Sequence, residues 1–314
     1  MDKNAKIYIA GHNGMVGKAI HKTLSQKGYD NIIVKTKQEL DLTDQLKVDK
    51  FFRDNNPEYV FLAAAKVGGI TCNKNYPANF IRDNLLIQTN VIDSACQHGV
   101  IKLCFLGSAC IYPKLASTPI KESDLLTGSL EETNIAYAIA KIAGYMMCHK
   151  YTEQYGFNTI SLMPANLYGP NDNFKLDECH VIPALIRKFI NAKEQNLPNV
   201  ECYGDGSPTR EFLHVDDLAD AAVYLMNRYN NPNIINVGNG LEVSIKNLAE
   251  NIKEIVGYDG EIIWNTQYQN GTPRRYLDVT KINSLGWSSQ IDLYEGLKNT
   301  IFWFENTPTT NKRI

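Results

Sequence analysis

Lys6-Ile7-Tyr8-Ile9-Ala10-Gly11-His12-Asn13-Gly14-Met15-Val16-Gly17 is the stretch that decides the fold of this 314-residue chain. The apolar run up to Ala10 reads as a short buried strand, and the residues after the last glycine carry a helix-like pattern that stops near Gly28. The first glycine permits a tight strand-to-helix turn, the second lets the backbone approach a pyrophosphate, and the third lets the helix pack close to the strand. The amides at the start of that helix then face the phosphates. Gly11, His12, Asn13, Gly14, Met15, Val16 and Gly17 are therefore expected to form a dinucleotide-binding turn. The second strand, Ile32-Ile33-Val34, runs into Lys35-Thr36-Lys37 and not into the acidic residue that pairs with a free ribose 2′-hydroxyl. That pattern favours a 2′-phosphate, and so NADP(H), with Lys37 as a contact; the alternative is that these lysines only solvate a loop.

Outward from this turn the α/β rhythm continues. Residues 57–64 read as a fourth strand, 79–98 as a long helix, 101–106 as the next strand, 137–155 as a helix and 159–163 as a strand. Alternation of this kind predicts an α/β fold with a doubly wound parallel sheet of the Rossmann type. Ligands of such sheets sit at the carboxyl ends of the strands, and Gly11, Ser108 and Asn166 each fall just past one. Beyond residue 170 the chain changes character, with a helix over 182–193 and then short strands and helices between glycine-rich loops. The expected division is a cofactor-binding domain over 1–168, to which 211–237 returns, and a smaller C-terminal substrate-binding α/β domain over 169–314.

Tyr137 and Lys141 stand four residues apart in Tyr137-Ala-Ile-Ala-Lys141, and Gly107-Ser108-Ala109-Cys110 ends an apolar run upstream. On a helix the i, i+4 spacing puts the phenol and the ammonium on one face. A nearby ammonium favours the phenolate, which is expected to bring Tyr137 down from its reference pKa of about 10. Ser108 would give a second hydrogen bond to the same substrate oxygen. Tyr-x-x-x-Lys also arises by chance on many amphipathic helices, so its weight comes from the rest of the chain.

With 44% hydrophobic residues, 21% charged residues and a formal net charge of -2, the chain can bury a sizeable core and has no electrostatic reason to bind nucleic acid. The sequence has no long apolar stretch, and Met1-Asp2-Lys3-Asn4 is polar, so neither a membrane span nor a signal peptide is expected and the cytoplasm is the expected location. The seven cysteines include no Cys-x-x-Cys pair, which argues against a disulfide framework and a metal site.

Taken together, the glycine turn, Ser108 and Tyr137-x-x-x-Lys141 resemble the pattern of the extended short-chain dehydrogenase/reductases. Several runs narrow the resemblance to the members that epimerise and reduce GDP-4-keto-6-deoxy sugars: Ser108-Ala109-Cys110-Ile111-Tyr112-Pro113-Lys114, Met163-Pro164-Ala165-Asn166-Leu167-Tyr168-Gly169-Pro170, His180-Val181-Ile182-Pro183-Ala184-Leu185, Arg210-Glu211-Phe212-Leu213-His214-Val215 and Gly271-Thr272-Pro273-Arg274-Arg275. They span nearly the whole chain. The resemblance implies NADPH-dependent 3,5-epimerisation and C4 reduction of GDP-4-keto-6-deoxy-D-mannose to GDP-L-fucose by a homodimer. It makes Cys110 and His180 the epimerase acid/base pair, Tyr137 the proton donor in reduction, and Lys141 its electrostatic partner and a ligand of the nicotinamide ribose. It also implies cofactor contacts from Asp41, Leu42, Leu106, Gly107, Pro164, Asn166, Leu167 and His180, and substrate contacts from Lys188, Tyr203, Arg210 and Asn270. Cysteine suits the base, since its free pKa of about 8.5 is expected to fall beside a cation. Asn13, Lys37 and Lys188 depart from the family's arginines, keeping charge at the lysines but losing the bidentate fork. Two alternatives follow: a dedicated C4 reductase of a related GDP-4-keto sugar such as a heptose, and a non-catalytic NADP(H)-sensing protein, which would have no need of Ser108, Tyr137 and Lys141 together.

Overall fold

All four residues from Ile7 to Ala10 are buried, and they form the strand β1 (Ile7–Ala10). The computed structural model describes residues 1–314 except Asp177 and Gln269, together with the side chains of Ile70 and Asn311. After β1 come α1 (Met15–Gln26), β2 (Ile32–Val34), α2 (Gln45–Asn55), β3 (Tyr59–Leu62), α3 (Ile70–Asn75), α4 (Pro77–Gln97), β4 (Lys102–Leu106), α5 (Ile135–Tyr155) and β5 (Thr159–Pro164). The chain continues through β6 (Asn166–Tyr168), α6 (Val181–Glu194), β7 (Asn199–Tyr203), β8 (Thr209–Arg210), β9 (Phe212–His214), α7 (Val215–Arg228) and β10 (Ile235–Val237). It ends with β11 (Val243–Ser244), α8 (Ile245–Val256), β12 (Glu261–Asn265), β13 (Arg274–Arg275), α9 (Thr280–Ser284) and α10 (Leu293–Asn306).

Six of the strands make one sheet in the order β10-β5-β4-β3-β1-β2, with every neighbouring pair parallel. Helices cover both faces, α1 with α7 on one side and α4 with α5 on the other, so β4 and β5 are buried along their whole length. After β2 the chain crosses back over β1 to β3, and this reversal opens a crevice at the carboxyl ends of β1 and β3. The buried Lys102 Nζ donates to the carbonyls of Leu225, Met226 and Tyr229 and to Asn230 Oδ1, satisfying the end of α7.

One expectation is corrected. The strand over 57–64, expected as the fourth, is the third, because the chain between β2 and α2, residues 35–44, forms turns and adds no strand. Glu39 accepts from the Thr36 amide and Asp41 from the Thr43 amide, and such local side-chain bonds compete with a sheet ladder. A second apolar cluster lies outside the main sheet, where α6, α8 and α10 pack with the parallel pair β7 and β12. Between the two clusters β8 lies flanked by β11 and β13, and β6 pairs with β9.

Candidate functional site

At the end of β1 the backbone approaches its neighbours too closely for side chains. Gly11 has φ +90°, and a Cβ there would lie 2.7 Å from the backbone of Ala64, just past β3. A Cβ on Gly17 would fall on the carbonyl of Gly11. Gly14 caps α1 with no side-chain bond and no acid in the first turn, so the first amides of α1 are open to an anion. This arrangement fits a pyrophosphate. His12 Nδ1 is buried without a partner, and desolvation followed by the nearby His21 charge holds this imidazole below its usual pKa.

Past β2, Lys37 is exposed, and Lys35 Nζ lies 3.7 Å from the Glu39 carboxylate. An acid thus lies near this strand end after all, a few residues further along the chain and paired with lysine. Asp41 accepts from the amide and hydroxyl of Thr43 at 3.0 and 2.8 Å, bonds that hold it below the usual carboxylate range. The Leu42 carbonyl accepts from Asn90 of α4 at 2.9 Å. After β5, the Asn166 side chain donates to the Glu211 carbonyl at 2.9 Å and fixes Asn166 and Leu167 beside β9, while Pro164 ends β5 opposite Val237 of β10.

Four candidate catalytic residues meet at the end of β4. The Ser108 hydroxyl lies close enough to the Tyr137 phenol and the Cys110 thiol to favour the ionised form of each, and the Cys110 amide donates to Ser108 Oγ at 3.3 Å. Tyr137 presents its ring edge-on to Phe80, with centroids 6.4 Å apart. Lys141, one turn along α5, is buried and donates to the Leu106 carbonyl at 2.7 Å, with Nζ 5.7 Å from the Tyr137 ring centre. Burial lowers Lys141 to about 8, opposed by the Cys110 and Cys148 thiols. Gly107 lets this strand end pass Met163, into which a Cβ would collide.

Two electrostatic expectations are overturned here. Tyr137 is pushed above its usual pKa, by burial first and by Cys110 second, with only the Ser108 bond acting the other way. The Lys141 ammonium is held on the Leu106 carbonyl and does not offset that burial. The Cys110 thiol also sits above its usual value, because desolvation outweighs the Ser108 bond and the charges of Arg275 and Lys141. Both groups are therefore neutral at pH 7.

Arg275 was not among the sequence candidates, although the run that ends in it was noted. Its Nη2 donates to the carbonyls of Ala109 at 2.7 Å and Tyr112 at 3.2 Å, and its Nη1 to that of Pro113 at 3.5 Å. Arg275 and Arg210 are direct partners in the parallel pair β13 and β8. Arg210 Nη1 donates to the carbonyls of Thr209 and Thr272, both at 2.7 Å. Desolvation and then the neighbouring Arg275 charge lower its pKa.

His180 caps the start of α6, and no hydrogen bond from its imidazole to Ser108, Cys110, Tyr137 or Lys141 is present among the described residues. Desolvation lowers its pKa, although its exposure to solvent moderates the effect. The segment before it is anchored where Gly69 donates to the Glu178 carbonyl at 2.7 Å. Lys188 of α6 donates to the Glu201 carbonyl at 2.9 Å and lies 4.4 Å from the Tyr203 ring centre. Tyr203 stacks on Tyr268 at 4.0 Å, a second aromatic that sequence reading missed. Asn270 accepts from the Asp205 amide at 3.2 Å, and Gly271 leads from it to the Arg210 guanidinium. Lys188, Tyr203, Asn270 and Arg210 thus form a continuous strip that ends beside Arg275 and Cys110.

The sequence pattern of the NAD dependent epimerase/dehydratase family matches residues 7–238. The chain is 56% identical over 304 residues to a putative GDP-L-fucose synthase 2 of Arabidopsis thaliana, covering 97% of this chain and 93% of that protein. It is 49% identical over 308 residues to a GDP-L-fucose synthase of Escherichia coli K12, covering 95% and 96%. Among solved structures, a GDP-D-glycero-L-gluco-heptose synthase from Campylobacter jejuni, determined in the presence of NADPH, superimposes with a TM-score of 0.92 at 40% identity, covering 98% of this chain and all of that one.

Proposed function

This chain belongs to the NAD dependent epimerase/dehydratase family, and on that footing we propose that it is an NADP(H)-dependent enzyme that epimerises C3 and C5 of GDP-4-keto-6-deoxy-D-mannose and reduces C4 to give GDP-L-fucose. One observation carries the reading: Ser108, Cys110, Tyr137 and Lys141 cluster at the end of β4, which supports a ketone oxygen bound there within reach of both a proton donor and a thiol. The strip of Lys188, Tyr203, Asn270 and Arg210 supports binding of the nucleotide diphosphate, with Arg210 as the fixed cation.

Gly11–Gly17, Lys37, Asp41, Leu42, Leu106, Gly107, Lys141, Pro164, Asn166, Leu167 and His180 would hold NADP(H), which supplies a hydride to C4. Ser108 and Tyr137 hydrogen-bond the C4 oxygen, and that carbonyl acidifies the hydrogens at C3 and C5. Cys110, once its thiol proton has passed to solvent base, takes a carbon-bound proton as thiolate while the C–H electron pair moves into the enolate, and His180 returns a proton to the opposite face. Tyr137 then protonates the C4 oxygen as the hydride arrives. Reduction comes last, because it destroys the carbonyl on which the epimerisations depend.

In this reading residues 1–168 with 211–237 bind the cofactor and the rest covers the substrate. Exposed Leu86 on α4 and Ile135 and Ile139 on α5 support association into a homodimer through that face. Among the described residues no helix is long and apolar enough to cross a membrane, which is compatible with work in the cytoplasm.

The deciding experiment incubates the protein in D2O with the ketone and no NADPH. Deuterium should enter C3 and C5 in wild type and not in Cys110→Ser, while the serine variant still reduces an already epimerised ketone. Wild type that oxidises NADPH without exchange at either carbon would be a dedicated C4 reductase, and the heptose ketone would then be the substrate to test.

A further inference from the structure

Arg275 has no part in the reading above, yet it is the cation most firmly attached to the turn that carries Cys110. That turn is the short 3-10 segment Ala109–Ile111, with Ser108 as its N-cap. Its peptide carbonyls at Ala109 and Tyr112, and the one that follows at Pro113, converge on one guanidinium. A planar fork with five donors suits this task, since it bonds several carbonyls at once and keeps its charge at any working pH. The guanidinium arrives from β13, a strand in a different sheet, registered against Arg210 on β8. Through this one side chain the turn that carries the thiol is tied to the strand pair that carries Arg210.

We propose that Arg275 is a positioning residue for Cys110: its guanidinium clamps the Ala109–Pro113 turn through three carbonyls and holds a fixed positive charge beside the thiol. The proposal rests on the epimerase reading and adds to it the group that makes the thiolate attainable. In the step itself the thiolate sulfur forms an S–H bond as the C–H bond at C3 or C5 breaks, and the electron pair goes to the C4 oxygen. Before that step the thiol proton must pass to solvent base, and burial resists the loss. The groups facing Cys110 are the Ser108 hydroxyl, the Tyr137 phenol, the Lys141 ammonium and Arg275. Two of them are cationic, and Lys141 loses charge near pH 8 while Arg275 does not. Facing Arg275 are Cys110, Glu131, Tyr112 and Arg210. Glu131 is paired with Lys114 at 3.2 Å, which leaves the Arg275 charge largely uncompensated at the thiol.

The test follows alkylation of Cys110 by iodoacetamide across pH, read on the Cys110 peptide by mass spectrometry, in wild type, Arg275→Gln and Arg275→Lys. Loss of the charge should raise the midpoint in the glutamine variant by about one pH unit, the size expected for one nearby cation. The lysine variant keeps the charge and loses the fork, so its midpoint should stay near wild type while C3 and C5 deuterium exchange falls about tenfold or more. Both variants should lose more exchange than they lose reduction of the epimerised ketone. An unchanged midpoint in a glutamine variant that still binds NADPH overturns the proposal, as does a weakened affinity for the GDP-sugar with the thiol profile intact, which would make Arg275 a nucleotide contact. If the glutamine variant does not fold, the lysine variant decides: wild-type exchange with the fork removed overturns the clamp. The thiol titration uses no substrate, so its outcome is separate from the epimerase reading, which fails instead if wild type shows no exchange.

Discussion

Proton donation to a sugar ketone requires a phenol that begins neutral, and burial sets Tyr137 in that state. The raised pKa weakens the phenol as an acid, so on the proposed mechanism its proton leaves only as negative charge develops on the C4 oxygen, a much stronger base than the phenolate. Tyr137→Phe should leave NADPH binding nearly intact and lower turnover by a factor on the order of 10² or more. Wild-type turnover in that variant would remove Tyr137 from the mechanism. Lys141 behaves differently, because its ammonium is charged below about pH 8 and neutral above. kcat/KM for reduction should therefore decline on the alkaline side with an apparent pKa near 8, and Lys141→Ala should lose cofactor affinity as well as rate. A profile flat from pH 7 to 9.5 would show that the Lys141 charge is not used. That Tyr137 and Lys141 lie side by side was legible because their four-residue spacing is local, whereas Ser108 reaches them only through the packing of the end of β4 against α5. Their ionisation states were not, since desolvation depends on what packs around them.

At the scale of elements, the three glycines of the first turn separate packing from binding. Gly17→Ala places a methyl on the Gly11 carbonyl, so α1 must move off β1. That variant should lose stability on the order of 1–3 kcal/mol and lose NADPH binding with it. The nearest atom to a Cβ on Gly14 is the Gly11 carbonyl oxygen at 3.4 Å, and its φ of −78° suits any residue. Gly14→Ala should therefore keep its melting temperature and lose NADPH affinity, because the new methyl occupies the surface left open at the start of α1. Thermal melts with and without NADPH distinguish the two, and equal destabilisation of both variants would refute the assignment of separate roles. Helices with strong apolar periodicity, such as α1 and α6, were readable from the chain. The rank of the 57–64 strand was not, because short side-chain bonds at Glu39 and Asp41 turn the backbone of the preceding segment, which still buries Leu40 and Leu42.

Over the whole molecule a formal charge of -2 offers no field that would gather an anionic cofactor, so any preference for NADPH must come from local lysines. Lys37 is exposed and Lys35 already meets Glu39, which makes the contact with a 2′-phosphate open to screening. NADPH should raise the melting temperature more than NADH at low salt, and the gap should narrow at high salt or in Lys37→Ala; equal stabilisation at low salt would refute the lysine contact. The sequence by itself determined the doubly wound sheet, the glycine turn and the grouping of Tyr137 with Lys141, because strand and helix periods and a four-residue spacing are properties of neighbouring residues. Only the tertiary structure decided that β10 closes the sheet beside β5, that burial holds Tyr137 and Cys110 neutral, and that Arg275 reaches Ala109 across 166 positions. Those outcomes depend on which distant segments pack together and how much water they exclude, and no local pattern of residues carries that information.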